Sequence, residues 1–185
     1  MKNISSFIVA ALTAAVLSGC ATPARIDQMV SSATPEQRIK QTPFRSNVAV
    51  KEVTGGKETN PMWISNVGNS EFEQALEASL RDAGLLAAGK QAGKYLMIAH
   101  LEKLDQPMMG IDMTVTATVS YTVYERSSGK EILNRRISIP FTAQFSSAFM
   151  GTERLRIANE GAIRTNIAKI VDELFMLKLD SVAVN

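Results

Sequence analysis

From Met113 to Tyr124 the chain alternates without a fault. Met113, Val115, Ala117, Val119, Tyr121 and Val123 occupy one set of positions, and Thr114, Thr116, Thr118, Ser120, Thr122 and Tyr124 the other. A helix cannot gather such a run on one face, whereas successive strand side chains point to opposite faces of a sheet. The run is therefore a strand with one face in a core and a hydroxyl-bearing face toward water or a partner. A strand this long cannot bury its apolar face alone, so the rest of the chain must supply a sheet and a cover.

The flanking segments supply both. Tyr95 to Leu104 is apolar on both alternations, as expected of a strand in the middle of a sheet. After the turn Ser127-Ser128-Gly129-Lys130, the segment Glu131 to Phe145 keeps the alternation through Ile137, Ile139, Phe141, Ala143 and Phe145. Pro140 falls on the opposite set and cannot donate to a ladder, which places this strand at an edge or gives it a bulge. Such an edge is either a docking rail for another chain or a shielded edge that resists aggregation. Asn47 to Val53 reads as a first strand, with Val48 and Val50 on one face.

Two helices complete the pattern. Ser70 and Glu73 have the spacing of a capping box; Phe72, Ala75, Leu76, Leu80 and Ala83 follow on one helical face, and Gly84 with Leu85 supplies the stop. Thr152 to Lys178 contains no proline and carries a stripe of Leu155, Ala158, Ala162, Ile163, Ile167, Ile170, Val171, Leu174 and Leu177. Arg154, Arg156, Glu160, Arg164, Lys169, Asp172 and Glu173 are expected on its solvated outer surface. The predicted class is α+β: a four-stranded antiparallel or mixed sheet, in the order strand, helix, three strands, long helix, with both helices packed on one face. Short connections make the last three strands antiparallel, while the helix after the first allows it to run parallel.

The N-terminus constrains location. Lys2, an apolar stretch from Ile4 to Val16 and the run Leu17-Ser18-Gly19-Cys20 make a secretory signal too short to span a bilayer stably. Cys20 is the chain's one cysteine, and a lone free thiol in an oxidising compartment is a liability. The run resembles the lipobox of bacterial lipoproteins. That resemblance implies cleavage before Cys20 and lipid on its sulfur and amine, so Cys20 is an anchor. Ala21 stands where lipoproteins retained at the inner membrane typically carry aspartate, which implies the outer membrane, periplasmic side. The expected organisation is a signal peptide over 1–19, a lipidated cysteine and flexible tether over 20–46, and one periplasmic domain over 47–185. The tether, polar and carrying Pro23, Pro35 and Pro43, would span roughly 30 Å.

Composition and motifs exclude several classes. With Lys2 removed, 19 basic face 18 acidic side chains, a near-neutral balance that leaves no nucleic-acid footprint. Gly55-Gly56-Lys57 fails as a phosphate loop, which needs glycine where Lys51 stands and Ser or Thr where Glu58 stands. His100 is the one histidine and lies on a predicted strand without a neighbouring metal-ligand partner. No hydrolase elbow, metalloprotease helix or paired Cys-x-x-Cys cluster is present, so neither enzyme nor cofactor nor metal site is expected.

The element order behind a lipobox resembles small outer-membrane lipoproteins built on the domain at the amino end of TolB. These include the plug of the lipopolysaccharide translocon, activators of penicillin-binding proteins and YajG-type lipoproteins. The resemblance covers roughly Asn47 to Leu179 and rests on element order, with the lipobox its one specific motif. It implies a non-catalytic accessory subunit of an envelope assembly or transport machine, held to the membrane by Cys20 and bound to an envelope protein. The alternatives are an activator of cell-wall synthesis and a carrier of a lipid or small ligand, which would need an apolar cavity between helices and sheet; a lipid or glycan ligand stays open.

Two places are candidate partner contacts. Met108 and Met109 sit in the hairpin tip Gln106-Pro107-Met108-Met109-Gly110, where two adjacent side chains cannot both point into the core. Either they meet a partner, or one covers the end of the sheet. Trp63 likewise either folds back over the core or contacts a partner.

Overall fold

The computed structural model describes residues 21–62 and 64–178; the signal segment, Cys20, Trp63 and residues 179–185 lie outside them. The elements are α1 (Ile26–Met29), α2 (Pro35–Ile39), β1 (Val48–Thr54), α3 (Asn69–Asp82), β2 (Tyr95–Asp105), β3 (Met113–Glu125), β4 (Glu131–Ala143), a 3-10 turn (Phe145–Ser147) and α4 (Gly151–Met176). The sheet order is β1-β2-β3-β4. β1 runs parallel to β2 from Val48 opposite Tyr95 to Thr54 opposite His100, and the other pairs are antiparallel. The sheet is mixed, as the sequence allowed.

The alternation in β3 does what its period requires. Met113, Val115, Ala117, Val119, Tyr121 and Val123 are all buried. The hydroxyl set lies on the other face, where Thr114 pairs with Thr142 and Thr118 with Ser138, each at 2.9 Å. α3 packs on β1, α4 on β3 and β4, and the two helices touch each other, so both cover the same face. Pro140 stands opposite Thr116 on the edge strand, the position in a sheet that tolerates a residue without an N–H donor.

Two contacts set the register of α4 on the sheet. A side chain at Gly161 would come within 2.3 Å of the Phe141 ring, so glycine lets that ring lie on the helix backbone. The Asn166 amide donates to the carbonyls of Ala117 and Ile137, each at 3.0 Å, and accepts the Tyr121 hydroxyl at 3.0 Å. Burial pushes the Tyr121 phenol well above its ordinary pKa, which keeps it a neutral donor to Asn166.

The structure departs from expectation at three places. The capping box at Ser70 and Glu73 does not form: α3 begins at Asn69 with Gly68 as its N-cap and no side-chain cap. Asn69 is engaged elsewhere, accepting the Gly56 N–H at 2.7 Å, and Ser70 accepts from Gln74. A capping box does form at Thr34 and Gln37, opening α2. The stop of α3 is as read: Gly84 adopts φ +70° and the Leu85 N–H reaches the Leu80 carbonyl at 2.8 Å. β4 ends at Ala143, and Phe145 leaves the sheet in the 3-10 turn instead of continuing the alternation.

The largest departure concerns the tether. Residues 21–46 lie against the domain, with Met29 and Phe44 fully buried and the Phe44 ring packed at a tilt of 50° with its centroid 4.7 Å from that of Tyr95. Few apolar side chains are present, but the large ones turn inward, and helix side chains satisfy the backbone. The Ser31 N–H donates to Ser79 Oγ at 2.9 Å, the Ala33 N–H to Asp82 at 2.8 Å, and Arg164 reaches the Gln28 carbonyl at 2.5 Å. This strap covers part of the surface of α4 that was expected to meet water: Arg156 and Glu160 are buried beneath it, and Arg154 is buried near the loop preceding the helix. Replacing Met29 with alanine is expected to destabilise the domain by about 2–5 kcal/mol, the range for emptying a core methionine site. Urea unfolding would measure it, and a free tether would show no change.

Candidate functional surface

Because β1 and β2 are parallel, their C-terminal ends lie together, beside the start of β3 and the end of β4. The loops 55–68, 106–112 and 144–150 therefore gather at one end of the domain. The described chain enters there: the Ala21 N–H donates to the Pro61 carbonyl at 2.8 Å, and Ser65 Oγ to the Thr22 carbonyl at 2.7 Å. Gln106 at the base of the β2–β3 hairpin donates to the Ser65 carbonyl and to Asn159 Oδ1, each at 2.8 Å, which joins hairpin, loop and α4.

This end is apolar outward. Met108 is 99% exposed and Met109 89% exposed, so neither covers the end of the sheet. Ile111, Phe149 and Met62 are likewise exposed, with Phe145 and Met150 partly so. These side chains stand on an ordered scaffold. The Asp112 carboxylate accepts the Phe145 N–H at 2.8 Å, tying the hairpin to the 144–150 loop. The buried Arg154 guanidinium donates to the Ala148 and Phe149 carbonyls at 2.8 Å each and lies 5.0 Å over the Phe145 ring. Its Nε is the one buried side-chain polar atom among the described residues that lacks a partner.

Beside this end lies a buried charge network. Glu160 Oε1 accepts from Arg156 Nη1 at 2.7 Å, from the Arg25 backbone N–H at 2.9 Å and from Arg25 Nε at 3.3 Å. Arg156 also forks onto Glu153. Burial opposes the charge on Arg156, yet its hydrogen bonds to Glu153 and the charge of Glu160 hold its pKa above the ordinary value.

Cys20 and Trp63 lie outside the described residues. His100 is exposed, with Nδ1 2.8 Å from Thr54 Oγ1, and among the described residues no group of three His, Cys, Asp or Glu side chains could hold a metal. Gly55 has φ +83°, and a side chain there would strike the Leu101 carbonyl at 2.2 Å; the glycine serves a close approach of loop to strand. A cleft of about 420 Å³ lies beside it, where β2 runs on past the end of β1, lined in part by Lys57, Ile64, Leu101 and Leu104. Among the described residues no helix is long and apolar enough to cross a membrane.

Sequence reasoning singled out the methionine pair, which is exposed here, but not Phe145, Phe149 and Met150 as exposed groups, nor Asp112 and Arg154 as the residues that hold their loop. The available signal was three large apolar residues crowded into Phe145–Met150, a loop stretch that belongs to neither the strand nor the helix period.

No family model and no curated protein matches the chain. Solved structures do. Protein XCC0632 of Xanthomonas campestris, of the family DUF330, superposes with a TM-score of 0.57 at 12% identity, covering 80% of this chain and 91% of its own. PelC of Paraburkholderia phytofirmans, solved as a dodecamer, gives a TM-score of 0.50 at 16% identity, covering 73% and 92%. Lipoprotein GNA1162 of Neisseria meningitidis gives 0.43 at 12% identity, covering 71% and 99%. At such identities the likeness to the first two is one of fold.

Two expectations follow. Arg154→Ala removes the two guanidinium hydrogen bonds to the Ala148 and Phe149 carbonyls, leaving the Asp112 contact to Phe145, and should speed chymotryptic cleavage at Phe149 about tenfold or more while far-UV circular dichroism is unchanged. On the open sheet face, the hydrogen bond from Ser120 and then that from Arg136 hold the Glu102 pKa below its ordinary value. A depressed carboxylate stabilises the fold above its unfolded pKa, about 4.3, and that contribution is lost as pH falls through the folded value. Glu102→Gln should therefore flatten the loss of stability below about pH 4, as read by urea unfolding across pH.

Proposed function

We propose that the protein is a lipid-anchored, periplasm-facing lipoprotein of the outer membrane that works by binding, as an accessory subunit of an envelope assembly or transport machine. The observation that carries this reading is the docking of the chain directly after Cys20: Ala21 is buried and hydrogen-bonded to Pro61, so an anchor on Cys20 would hold the domain in one orientation. Leu17-Ser18-Gly19-Cys20 supplies the anchor. Two surfaces suit a protein partner. The hydroxyl face of the sheet carries no covering layer of helices, and β4 presents an unpaired edge.

A lipid or small-ligand carrier is less well supported, because Tyr121, Leu76, Met97 and Ile163 are fully buried in the core where its cavity would lie. Nothing in the geometry favours activation of a cell-wall synthase over other partners.

The native chain should label with a palmitate analogue and sediment with outer membranes, while Cys20→Ala should give a soluble or unprocessed protein. Efficient processing of the native chain to an unlipidated periplasmic form would overturn the anchor. A photoreactive residue at Thr116, on the open face, should crosslink to a discrete envelope protein in cells, and no crosslink from either the open face or β4 would remove the accessory role.

A further inference from the structure

We propose that the apolar end of the domain is a membrane seat: Met62, Met108, Met109, Ile111, Phe149 and Met150 enter the headgroup and upper acyl region of the leaflet that holds the lipid on Cys20. The inference rests on the anchoring proposed above and extends it from one covalent attachment to a protein surface.

The position of the chain entry is the first support. Ala21 follows Cys20 by one peptide unit, about 3.8 Å of chain, and is pinned to Pro61, the neighbour of Met62. The free tether that would have let the domain drift some 30 Å away is instead packed on α3 and α4. An anchored domain therefore keeps this end at the leaflet surface. Its apolar groups then either enter the lipid or remain against water beside it.

Their distribution is the second support. Away from this end, the exposed large apolar side chains among the described residues are Ile39 and Met176. At this end Arg154 and Asp112 hold the Phe149 loop and the hairpin in place, so the exposure is built and not the product of fraying. The Lys103–Asp105 ion pair closes β2 three residues before Met108, at the level where headgroups would meet it. Flexible methionines and phenylalanine suit a fluid apolar medium, which demands no complementary shape.

The test uses the full lipidated chain in vesicles of phosphatidylethanolamine and phosphatidylglycerol. Lipid occupies Cys20, so Met108→Cys or Phe149→Cys gives a single thiol for an environment-sensitive fluorophore, with Ser127→Cys in the β3–β4 turn as the distal reference. Doxyl-labelled lipid should quench the Met108 and Phe149 positions roughly twofold or more over the Ser127 position, as expected for interfacial burial. Equal, weak quenching at all three would overturn the seat, as would protection that requires other envelope proteins and is absent in pure vesicles. Dye on Cys20 of the unsubstituted chain would instead show that the anchor itself has failed, so the two readings fail separately.

Discussion

The carboxylate of Glu160 organises the part of the molecule that sequence reasoning placed in solvent. It is buried on the first half of α4 and takes a hydrogen bond from Arg156 on its own helix and two from Arg25, one of them from the backbone. A buried carboxylate without partners costs several kcal/mol; here Arg156 neutralises the charge from the same helix, and the docked Arg25 adds two hydrogen bonds to Oε1 where the strap covers it. Docking Arg25 fixes Ala21 to Met29 along the helix, and Met29 then fills the gap between α3 and α4. One ion network thus converts what composition describes as a linker into a structural layer. It also decides how an anchor at Cys20 would act: as a rigid mount and not a leash.

The first half of α4 is consequently buried nearly all round, by the sheet beneath, residues 21–28 on one side and the 144–150 loop at its start. A helix in that position is normally apolar on every face. This one instead carries Arg154, Arg156, Asn159 and Glu160 at buried positions, each with partners on another element or on the helix itself. Replacing such groups by apolar ones can leave stability unchanged, so their use here is geometric: each forces a particular loop or strap into one place.

What the sequence made legible follows the physics of each signal. The period of β3 spans the whole strand and cannot be satisfied otherwise, so the sheet and the antiparallel pairing of its last three strands were readable, and Pro140 narrowed its strand to an edge or a bulge. The cover on one face followed from the stripe in α4. Residues 21–46 were opaque because Met29 and Phe44 are isolated in the chain and fall on no period; their burial depends on hydrogen-bond acceptors more than a hundred residues away, such as Glu160 and Asp172. The Ser70 capping box did not form either: the helix starts one residue before it, at Asn69, and Ser70 lies inside, accepting from Gln74. At the apolar end, Met108 and Met109 stood out because a short turn cannot bury both, whereas Phe145 passed for a strand residue because it happens to continue the alternation by one more step.

That end inverts the usual partition of side chains. Arg154, Asp112, Gln106 and Asn159, which elsewhere would face water, are turned toward backbone and one another as staples, and the methionines and phenylalanines are turned out. Three loops hold this arrangement, while away from this end the exposed large apolar side chains among the described residues are Ile39 and Met176. Exposed large apolar side chains gathered at one end of a protein in water favour association. Staples that keep it exposed oppose its collapse onto the core, which is the cheaper way for a loop to hide phenylalanine. Ordered polar contacts thus keep these side chains out, the arrangement that the proposed membrane seat requires.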